Sequence, residues 1–262
     1  MKDYGLVSIV TPNWNCGNYA SETIRSVQAQ TYQNWEMIIV DDCSTDGSEA
    51  VIEPLKEEDG RIRLLRNEKN SGAAVSRNYA LREAKGRWIA YLDSDDIWAP
   101  EKLEKQLEFM VSGSYSFSYT EYKEIDDRSK ETGVLISGPK KVSKLGMFAF
   151  CWPGCLTVMY DREKVGLIQI EDIKKNNDYA MWLKVIQKTD CYFLDECLAK
   201  YRRGRVGSIS THGYSTMIKW HYKLWHEAMH KNALASMFWT GMNLVCGVYK
   251  KFRYVKHYEV NG

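Results

Sequence analysis

Short apolar runs alternate with longer amphipathic segments over the first hundred residues of the chain. The apolar runs, rich in β-branched and aromatic residues, are predicted as buried strands at 6–10, 35–40, 62–65 and 88–92. The segments between them have helical character and lie at 19–30, 48–58, 73–84 and 100–111. Strands that alternate with helices predict βαβ units and a parallel sheet. Because the strand runs are continuously apolar, both faces of this sheet should be covered.

Polar residues follow each of the four predicted strands. They occupy the ranges 11–15, 41–46, 67–72 and 93–96. Ligands of open α/β sheets bind beyond the carboxyl ends of the strands, where the loops after parallel strands meet. The sequence therefore predicts one rim that carries all four polar loops, and this rim is the expected functional site.

The pattern becomes weaker after residue 112. It predicts strands at 115–119, 156–160 and 193–201, a helix at 178–187, a polar loop over 121–138 and helical structure from residue 216 onward. We therefore predict an α/β domain over residues 1–215, with a Rossmann-like, mostly parallel central sheet and flanking helices. Its two halves are 1–111 and 112–215, and residues 216–262 form a C-terminal amphipathic helical tail.

The composition is that of an ordinary globular protein. The chain has 262 residues, of which 44% are hydrophobic and 27% are charged, so disordered, collagen-like and low-complexity classes are excluded. The net charge of +2 is distributed unevenly along the chain, because residues 217–262 contain seven Lys and Arg but only two acidic residues. A basic tail on a mildly acidic body suggests an anionic partner for the tail, either a membrane surface or nucleic acid.

Cysteine usage and the first residues bear on the compartment. The seven cysteines include no C-x-x-C pair, and the apolar run at 6–10 is shorter than the ~7–15 residues of a secretory leader. These features are typical of a reduced protein. We therefore expect a cytoplasmic location and thiols that are buried or inert.

Three acids follow the predicted strand at 88–92. Asp93 and Asp95 stand two residues apart, so both carboxylates can turn towards one point. Mg2+ typically takes one or two carboxylates together with substrate phosphates, which makes this pair a candidate metal site. A solvated turn is an equal alternative for the two residues by themselves, and Asp96 is a candidate cap for the helix that follows.

A second acidic loop, at 41–47, follows the second predicted strand. An acid at this place in a nucleotide-binding sheet accepts hydrogen bonds from a base or ribose, although Asp, Ser and Gly also favour plain turns. The chain has neither G-x-G-x-x-G nor G-x-x-x-x-G-K, which argues against a Rossmann dehydrogenase and a P-loop enzyme. Bound phosphates would then depend on a metal and on arginine. Arg77, at the beginning of a helix near the rim, is the candidate, with a surface ion pair as its alternative.

Four segments together resemble family 2 glycosyltransferases with the GT-A fold. They read VSIVTPNWN at 7–15, IIVDDCSTDG at 38–47, NSGAAVSRN at 70–78 and YLDSDD at 91–96. Each is weak alone, but their shared order over residues 6–100 makes the resemblance specific. It implies a GT-A fold for the α/β domain.

The resemblance also implies roles for individual residues. Asp93 would lie near the ribose of a nucleotide sugar, and Asp95, together with Asp93, would hold Mn2+ or Mg2+. Thr11 and either Asp41 or Asp42 would contact uracil or another base, and which of the two acids does so stays open. The implied nucleotide-sugar contacts are Thr11, Pro12, Asn15, Asp41, Asp42, Arg77, Asp93 and Ser94.

In this family the catalytic base is an Asp shortly before a Trp-Leu pair. Asp178 occupies that place, with Asn177 where members usually have Glu, whereas Asp172 lies too far from the Trp-Leu pair. A later Tyr-Arg-Arg segment is also similar to the family. The residues implied near the diphosphate or the acceptor are Arg202, Arg203 and Trp182. The alternative for the two arginines is a strand end in solvent.

By this resemblance the protein is an inverting, metal-dependent glycosyltransferase. It would move a hexose or N-acetylhexosamine from a nucleotide sugar, expected to be a UDP-sugar, to a hydroxyl of a saccharide. The implied acceptor is lipid-linked, as in O-antigen, capsule or lipopolysaccharide synthesis. One alternative is a nucleotidyltransferase, but residues 11–15 lack its Gly-rich phosphate loop. Another is a non-catalytic membrane-associated binding protein, against which Asp93, Asp95 and Asp178 argue.

The tail adds a prediction about location. Residues 216–231 have helical spacing, and the uncharged run at 233–248 is shorter than the ~20 residues that span a bilayer. Basic residues follow at 250–253, and aromatic residues beside cations suit a helix that lies in a membrane interface. We expect residues 217–262 to bring the protein to the inner face of the cell membrane. The alternatives are a helix packed on the catalytic domain and a homodimer interface; no nucleic-acid-binding module is recognised.

Overall fold

A computed structural model of the chain describes residues 2–204 and 214–260. The amino-terminal part alternates as predicted, and helices and strands begin and end within a few residues of the predicted bounds. Its elements are β1 (Val7–Asn13), α1 (Gly17–Gln28), β2 (Trp35–Asp41), α2 (Ser48–Glu58), β3 (Ile62–Arg66), α3 (Ala73–Glu83), β4 (Trp88–Tyr91), β5 (Ile97–Trp98) and α4 (Lys102–Ser112).

The second part holds more strands than the sequence predicts. Its elements are β6 (Phe117–Ile125), β7 (Glu131–Ile136), β8 (Lys141–Val142), α5 (Lys144–Ala149), a 3₁₀ turn (Cys155–Thr157), β9 (Met159–Asp161), α6 (Arg162–Val165), α7 (Asn177–Val185), β10 (Cys191–Arg202), α8 (Tyr214–Lys223), a π-helical turn (Leu224–Ala228), α9 (Ala233–Tyr254) and β11 (Val255–His257). The loop predicted over 121–138 is wrong, because β6 runs into it and β7 lies inside it. These strands carry charged side chains, so their sequence has the polar composition of a loop. In the structure the charges pair across the sheet, as Glu131 of β7 does with Lys123 of β6 at 3.0 Å.

One mixed sheet organises the described residues. The strand order is β11-β7-β6-β9-β4-β1-β2-β3, and β10 pairs with β5, β6 and β8. Strands β4, β1, β2 and β3 are parallel, whereas β9 runs antiparallel to both β4 and β6. The predicted α/β class is therefore confirmed. The prediction of a mostly parallel sheet holds for the amino-terminal half only, since antiparallel pairs prevail beyond β4.

Both faces of the parallel strands are buried, as their continuous apolar pattern predicts. On β1, Val7 and Ile9 pack with α1, α2 and α4, while Val10 faces the core that contains α3 and α7. Strand β2 alternates in the same way. Each strand therefore contributes to two hydrophobic cores, and its carboxyl end is held rigidly between them.

The C-terminal segment shares one of these cores. Leu224 and Trp225 are fully buried against the residues of α7, and β11 pairs antiparallel with β7. The described part of the predicted tail is therefore packed on the body of the protein. Over the described ranges, no helix combines the length and hydropathy needed to cross a bilayer. The seven cysteines are all free thiols.

Candidate active site

A cavity of about 970 Å³ opens where β1, β2 and β4 end, a size typical of small-molecule sites. The loop after each of these strands contributes to its lining, together with the start of α3, α7 and α8. The residues shared with the sequence prediction are Pro12, Asp42, Arg77, Asp93, Ser94, Asp95 and Asp178. The expected convergence of polar loops is thus observed, although other predicted contacts lie outside the cavity.

The two neighbouring acids after β2 have different positions. Asp42 lines the cavity, and its carboxylate accepts backbone N–H groups of Ser71 and Gly72 at 2.7 Å each. Asp41 lies behind it and accepts a hydrogen bond from the Asn13 amide at 2.7 Å. Gly72 has a φ of 87°, a backbone conformation that favours glycine. The loop before α3 therefore closes onto Asp42, and of the two acids only Asp42 lines the cavity.

Two predicted nucleotide contacts from the first loop are not part of the cavity lining. Thr11 is buried within β1, and Asn15 accepts the backbone N–H of Thr45 through its side-chain oxygen at 2.8 Å. The backbone N–H of Asn15 also donates to the Ser44 hydroxyl at 3.0 Å. Asn15 therefore joins the loops after β1 and β2 to each other.

Arg77 is buried and connects residues 93–96 after β4, here called the metal-type loop because they contain the candidate metal ligands, with α7. One amino group donates to the Asn177 side chain at 2.6 Å, and the other forms an ion pair with Asp93. Burial disfavours the charged guanidinium, but the carboxylates of Asp93 and Asp178 outweigh burial and raise the pKa of Arg77. Arg77 therefore stays charged and links α3 to the loop after β4 and to the start of α7. Asn177 supplies one of its acceptors.

Asp178 lies in the first turn of α7 and faces the same cavity. Removal from water raises the pKa of its carboxyl, and the Arg77 charge and the backbone N–H of Tyr179, at 2.8 Å, offset part of that rise. Asp172 also lines the cavity, while its neighbour Glu171 is engaged in an ion pair with Lys184 at 2.7 Å. A carboxylate with a raised pKa in a cavity is suited to general-base chemistry.

Asp93 and Asp95 both line the cavity, on either side of Ser94. In the part of the chain that the structure describes, no group of three or more His, Cys, Asp or Glu side chains converges on one metal position. Two carboxylates at a ligand cavity nevertheless fit a hard divalent cation, because Mg2+ completes its shell with water and substrate phosphate. The residues present therefore fit a cation that is bound together with a diphosphate.

The acid next to this pair has a structural role. Asp96 is buried, accepts the backbone N–H of Arg202 at 2.9 Å and does not cap α4, which begins after Glu101. Burial, together with the charges of Asp95 and Asp93, raises the pKa of Asp96 well above its ordinary value. Asp96 therefore fixes the metal-type loop onto β10.

The structure corrects the implied placement of three residues near the diphosphate or acceptor. The Arg202 guanidinium is fully buried and donates to the backbone oxygen of Asp95 at 2.8 Å, so it supports the metal-type loop from behind. The exposed Arg203 forms an ion pair with the buried Glu124 at 2.7 Å. Trp182 is fully buried in the core beneath the cavity, where its ring meets Tyr91 edge-on. None of the three lines the cavity, although the adjacent Tyr201 does.

Residues that the sequence did not single out form a large part of the cavity. Trp14, after β1, and Asn70, after β3, contribute to the lining. Another part of the lining, here called the far wall, consists of residues 172–178 with Thr216, Met217 and Trp220. These positions come from the irregular stretch before α7, from the start of α7 and from α8, which meet through tertiary packing. Apart from Asn177 and Asp178, no short motif marks them.

Taken together, the mixed sheet and the acidic cavity at its strand ends define a GT-A glycosyltransferase architecture. Residues 8–155 match the family model "Glycosyl transferase family 2", and the chain belongs to this family. The resemblance inferred from four short segments is thereby confirmed, and the protein is a glycosyltransferase.

Two curated relatives are similar over most of their length. TuaG of Bacillus subtilis (strain 168), whose name assigns it to teichuronic acid biosynthesis, is 45% identical over 198 residues, which cover 75% of this chain and 79% of TuaG. WfgD of Escherichia coli is named as a UDP-Glc:alpha-D-GlcNAc-diphosphoundecaprenol beta-1,3-glucosyltransferase. It is 38% identical over 222 residues, which cover 83% of this chain and 84% of WfgD.

Among solved structures, the crystal structure of S. aureus TarS 1-349 in complex with UDP-GlcNAc has the same fold. The TM-score is 0.68 at 20% sequence identity, and the match covers 94% of this chain and 72% of that one. This likeness bears on the fold.

Proposed function

We propose that the protein is an inverting, metal-dependent glycosyltransferase that transfers a sugar from a UDP-sugar to a hydroxyl of a lipid-linked saccharide. The observation that carries this proposal is the meeting of Asp178, Arg77 and the Asp93–Asp95 pair in one cavity. The names of the relatives supply the classes of donor and acceptor, and they point to synthesis of a surface polysaccharide.

In the proposed reaction, Asp178 acts as the general base. Its carboxylate accepts the proton of the acceptor hydroxyl while that oxygen attacks the anomeric carbon, a contribution typically worth about 10²–10⁴-fold in rate. Attack on the side opposite the leaving diphosphate inverts the configuration, so an α-linked donor gives a β-linked product. The raised pKa of Asp178 supports this role, because a stronger base takes the proton more readily.

The Asp93–Asp95 pair would hold Mn2+ or Mg2+ at the diphosphate end of the donor. When bound, such a cation stabilises the negative charge that develops on a leaving diphosphate. Arg77 contributes by fixing Asp93, while Ser94 lines the cavity between the two acids. Asp42 and Pro12 line the same cavity after β2 and β1, which supports Asp42 as the residue that reads the base.

We also propose that residues 217–262 bring the protein to the inner face of the cell membrane. The supporting observation is the inverted polarity of α9. Ser236, Thr240 and Asn243 face the protein and are buried, whereas apolar side chains face outward. The exposed apolar residues are Leu234, Met237, Phe238, Val245, Val248, Tyr249 and Phe252, and we call them the outer face of α9.

The charges around the outer face favour lipid over a second copy of the chain. Lys251 and Arg253 are exposed at its end, and α9 contains no acidic residue. Two copies that met through this face would have no carboxylate on α9 to pair with those cations. An anionic lipid surface offers both the apolar and the negatively charged component. A homodimer remains the competing occupant that the membrane experiment distinguishes.

The Asp178→Asn variant tests the catalytic proposal. Asn keeps the size of the side chain but cannot accept the proton, so we expect donor binding to stay within about threefold and turnover to fall by about 10²-fold or more. UDP binding is measured by calorimetry in the presence of Mn2+, and transfer is measured with UDP-sugars and a GlcNAc-diphospho-lipid. The in-cavity control is Asp172→Asn, for which turnover should change little. Retention of a third of the activity by Asp178→Asn would remove Asp178 from this role.

A further inference from the structure

Lysines and an indole ring border the far wall of the cavity. Lys174 and Lys175 line it a few residues before Asp178. The Lys175 ammonium lies 5.9 Å from the centre of the Trp220 ring, and the Lys223 ammonium lies 5.3 Å from the same ring. Positive charge is therefore concentrated on one side of the proposed base, where an indole face attracts it.

Acidic side chains also lie close to these cations. Asp172 lines the same wall, and Glu227 lies 3.4 Å from Lys223 on α8. Partial burial, together with the neighbouring charge of Lys174, lowers the pKa of Lys175, as expected where cations gather. An anion bound here would relieve the repulsion between the lysines.

A second, mostly apolar groove begins on the other side of α8. It has a volume of about 620 Å³ and lies between α8 and α9. Its lining is Ile218, Lys219, Tyr222, Lys223, Glu227, Met237, Thr240, Gly241 and Leu244. Gly241 has open space beside it, so the floor of the groove is not filled by a side chain. Met237 also belongs to the outer face of α9, which connects the groove with the proposed membrane surface.

We propose that the far wall and this groove form the binding site for the lipid diphosphate of the acceptor. The diphosphate is held by Lys174 and Lys175 with Lys219 and Lys223, and the first units of the lipid chain lie in the groove between α8 and α9. This inference rests on the proposed function, because it takes the acceptor to be lipid-linked.

The order of chemical groups along such an acceptor matches the order of surfaces on the protein. The reacting hydroxyl must reach Asp178, and in a monosaccharide acceptor one sugar ring separates that hydroxyl from the diphosphate. Lys174 and Lys175 line the same cavity as Asp178, and Lys219 and Lys223 line the apolar groove. Trp220 lines the cavity, and its ring lies near both Lys175 of the cavity and Lys223 of the groove, so it joins the two surfaces. A neutral soluble saccharide would use neither the cations nor the groove.

Calorimetry with farnesyl diphosphate tests the site without requiring turnover. The titration is done with saturating UDP and Mn2+, so that the donor position is filled. We expect the unaltered protein to bind farnesyl diphosphate at least about tenfold more tightly than farnesol. In Lys174→Ala/Lys175→Ala that affinity should fall about tenfold while UDP affinity stays unchanged. The control Lys188→Ala, a lysine exposed beyond α7, should behave like the unaltered protein.

A groove variant and an acceptor comparison complete the test. Met237→Glu should weaken farnesyl diphosphate binding without changing UDP binding. In transfer assays, the double lysine variant should raise the KM for a GlcNAc-diphospho-lipid about tenfold and leave the KM for the same sugar joined to the lipid without phosphate unchanged.

The outcomes separate the two proposals. Equal effects of the lysine variant on both acceptors, or an unchanged affinity for farnesyl diphosphate, would overturn the diphosphate site while leaving the glycosyltransferase reaction standing. Absence of UDP binding and of transfer by the unaltered protein would instead overturn the proposed function.

Discussion

At the scale of single residues, Asp178 is surrounded by groups that shift its pKa in opposite directions. Burial raises the pKa, the charge of Arg77 lowers it, and the net result is a carboxyl with a pKa above its ordinary value. A general base works only when it is deprotonated, so activity must fall as pH falls through this raised pKa. We expect the acid limb of the kcat profile to lie above the ordinary range of an aspartate.

Arg77→Met tests the electrostatic part of that account. The Arg77 charge lowers the pKa of Asp178 and so offsets part of the rise that burial causes. Without that charge the pKa of Asp178 rises further, and the acid limb of the kcat profile moves to higher pH. The measurement is kcat against pH at saturating donor and acceptor. Arg82→Met, an exposed arginine on the same helix, is the control and should leave the profile unchanged. An unshifted profile in the Arg77 variant would mean that a different group titrates.

Single residues also differ in how far the sequence predicts them. Asp93, Asp95 and Asp178 each stand next to a regular element with a recognisable pattern, and they line the cavity as expected. The sequence leaves Asp41 and Asp42 equivalent. The two acids differ in the structure because the fold brings the loop before α3 next to Asp42, whose carboxylate accepts backbone N–H groups from that loop.

At the scale of elements, α9 has the polarity of a helix whose outer environment is apolar. Phe252 is 84% exposed and Leu234 is 76% exposed, whereas Asn243 is 1% exposed. In water this arrangement leaves apolar area uncovered, at about 25 cal/mol per Å². The sequence predicts helical structure for this segment, but which face points inward depends on the residues that α9 meets.

Val248→Glu tests the outer face of α9. A charge placed in the middle of the apolar stripe opposes insertion and repels anionic lipid, so we expect the partition coefficient to fall about tenfold or more, equivalent to about 1.4 kcal/mol. The measurement is sedimentation with phosphatidylglycerol-containing vesicles and, for comparison, with neutral vesicles. Deleting the whole segment would confound the result, since Trp225 belongs to the core.

Val111→Glu is the matched control for this experiment. It introduces the same change at a partly exposed valine of α4, which packs on the opposite face of the sheet. Its vesicle binding should equal that of the unaltered chain. Equal vesicle binding by the two variants would contradict the membrane assignment. A dimer in analytical ultracentrifugation that only Val248→Glu dissociates would instead assign the outer face of α9 to a second copy of the chain.

At the scale of the whole molecule, the C-terminal segment supports the helix that carries the proposed base. The Asn243 amide donates to the backbone oxygens of Phe148 and Ala149 at 3.0 and 2.8 Å, and to the Tyr179 hydroxyl at 3.1 Å. Its oxygen accepts the indole N–H of Trp225 at 2.9 Å. Tyr179 follows Asp178 directly, so a single buried amide links α9 to the active-site helix.

Asn243→Ala should therefore affect both stability and activity. The change leaves buried polar groups unpaired, each at a cost of about 1–3 kcal/mol, so we expect the free energy of unfolding in urea to fall by about 2–4 kcal/mol. We also expect a lower kcat, because α7 loses a support beside Asp178. Asn232→Ala removes only the N-cap of α9, and about 1 kcal/mol with unchanged kcat is expected. Similar kcat losses in both variants would contradict the positioning role.

The sequence alone determined the amino-terminal alternation, the four polar loops and the acids at the cavity. These follow from local pattern, because a parallel sheet buries continuous apolar strands and brings the residues after them to one edge. Tertiary structure decided which acid faces the cavity, placed Arg202 behind the metal-type loop, and built the far wall from segments distant in the chain. It also turned the polar side of α9 inward. These placements depend on which distant segments of the chain pack against each other, and the local periodicity of the sequence does not specify that packing.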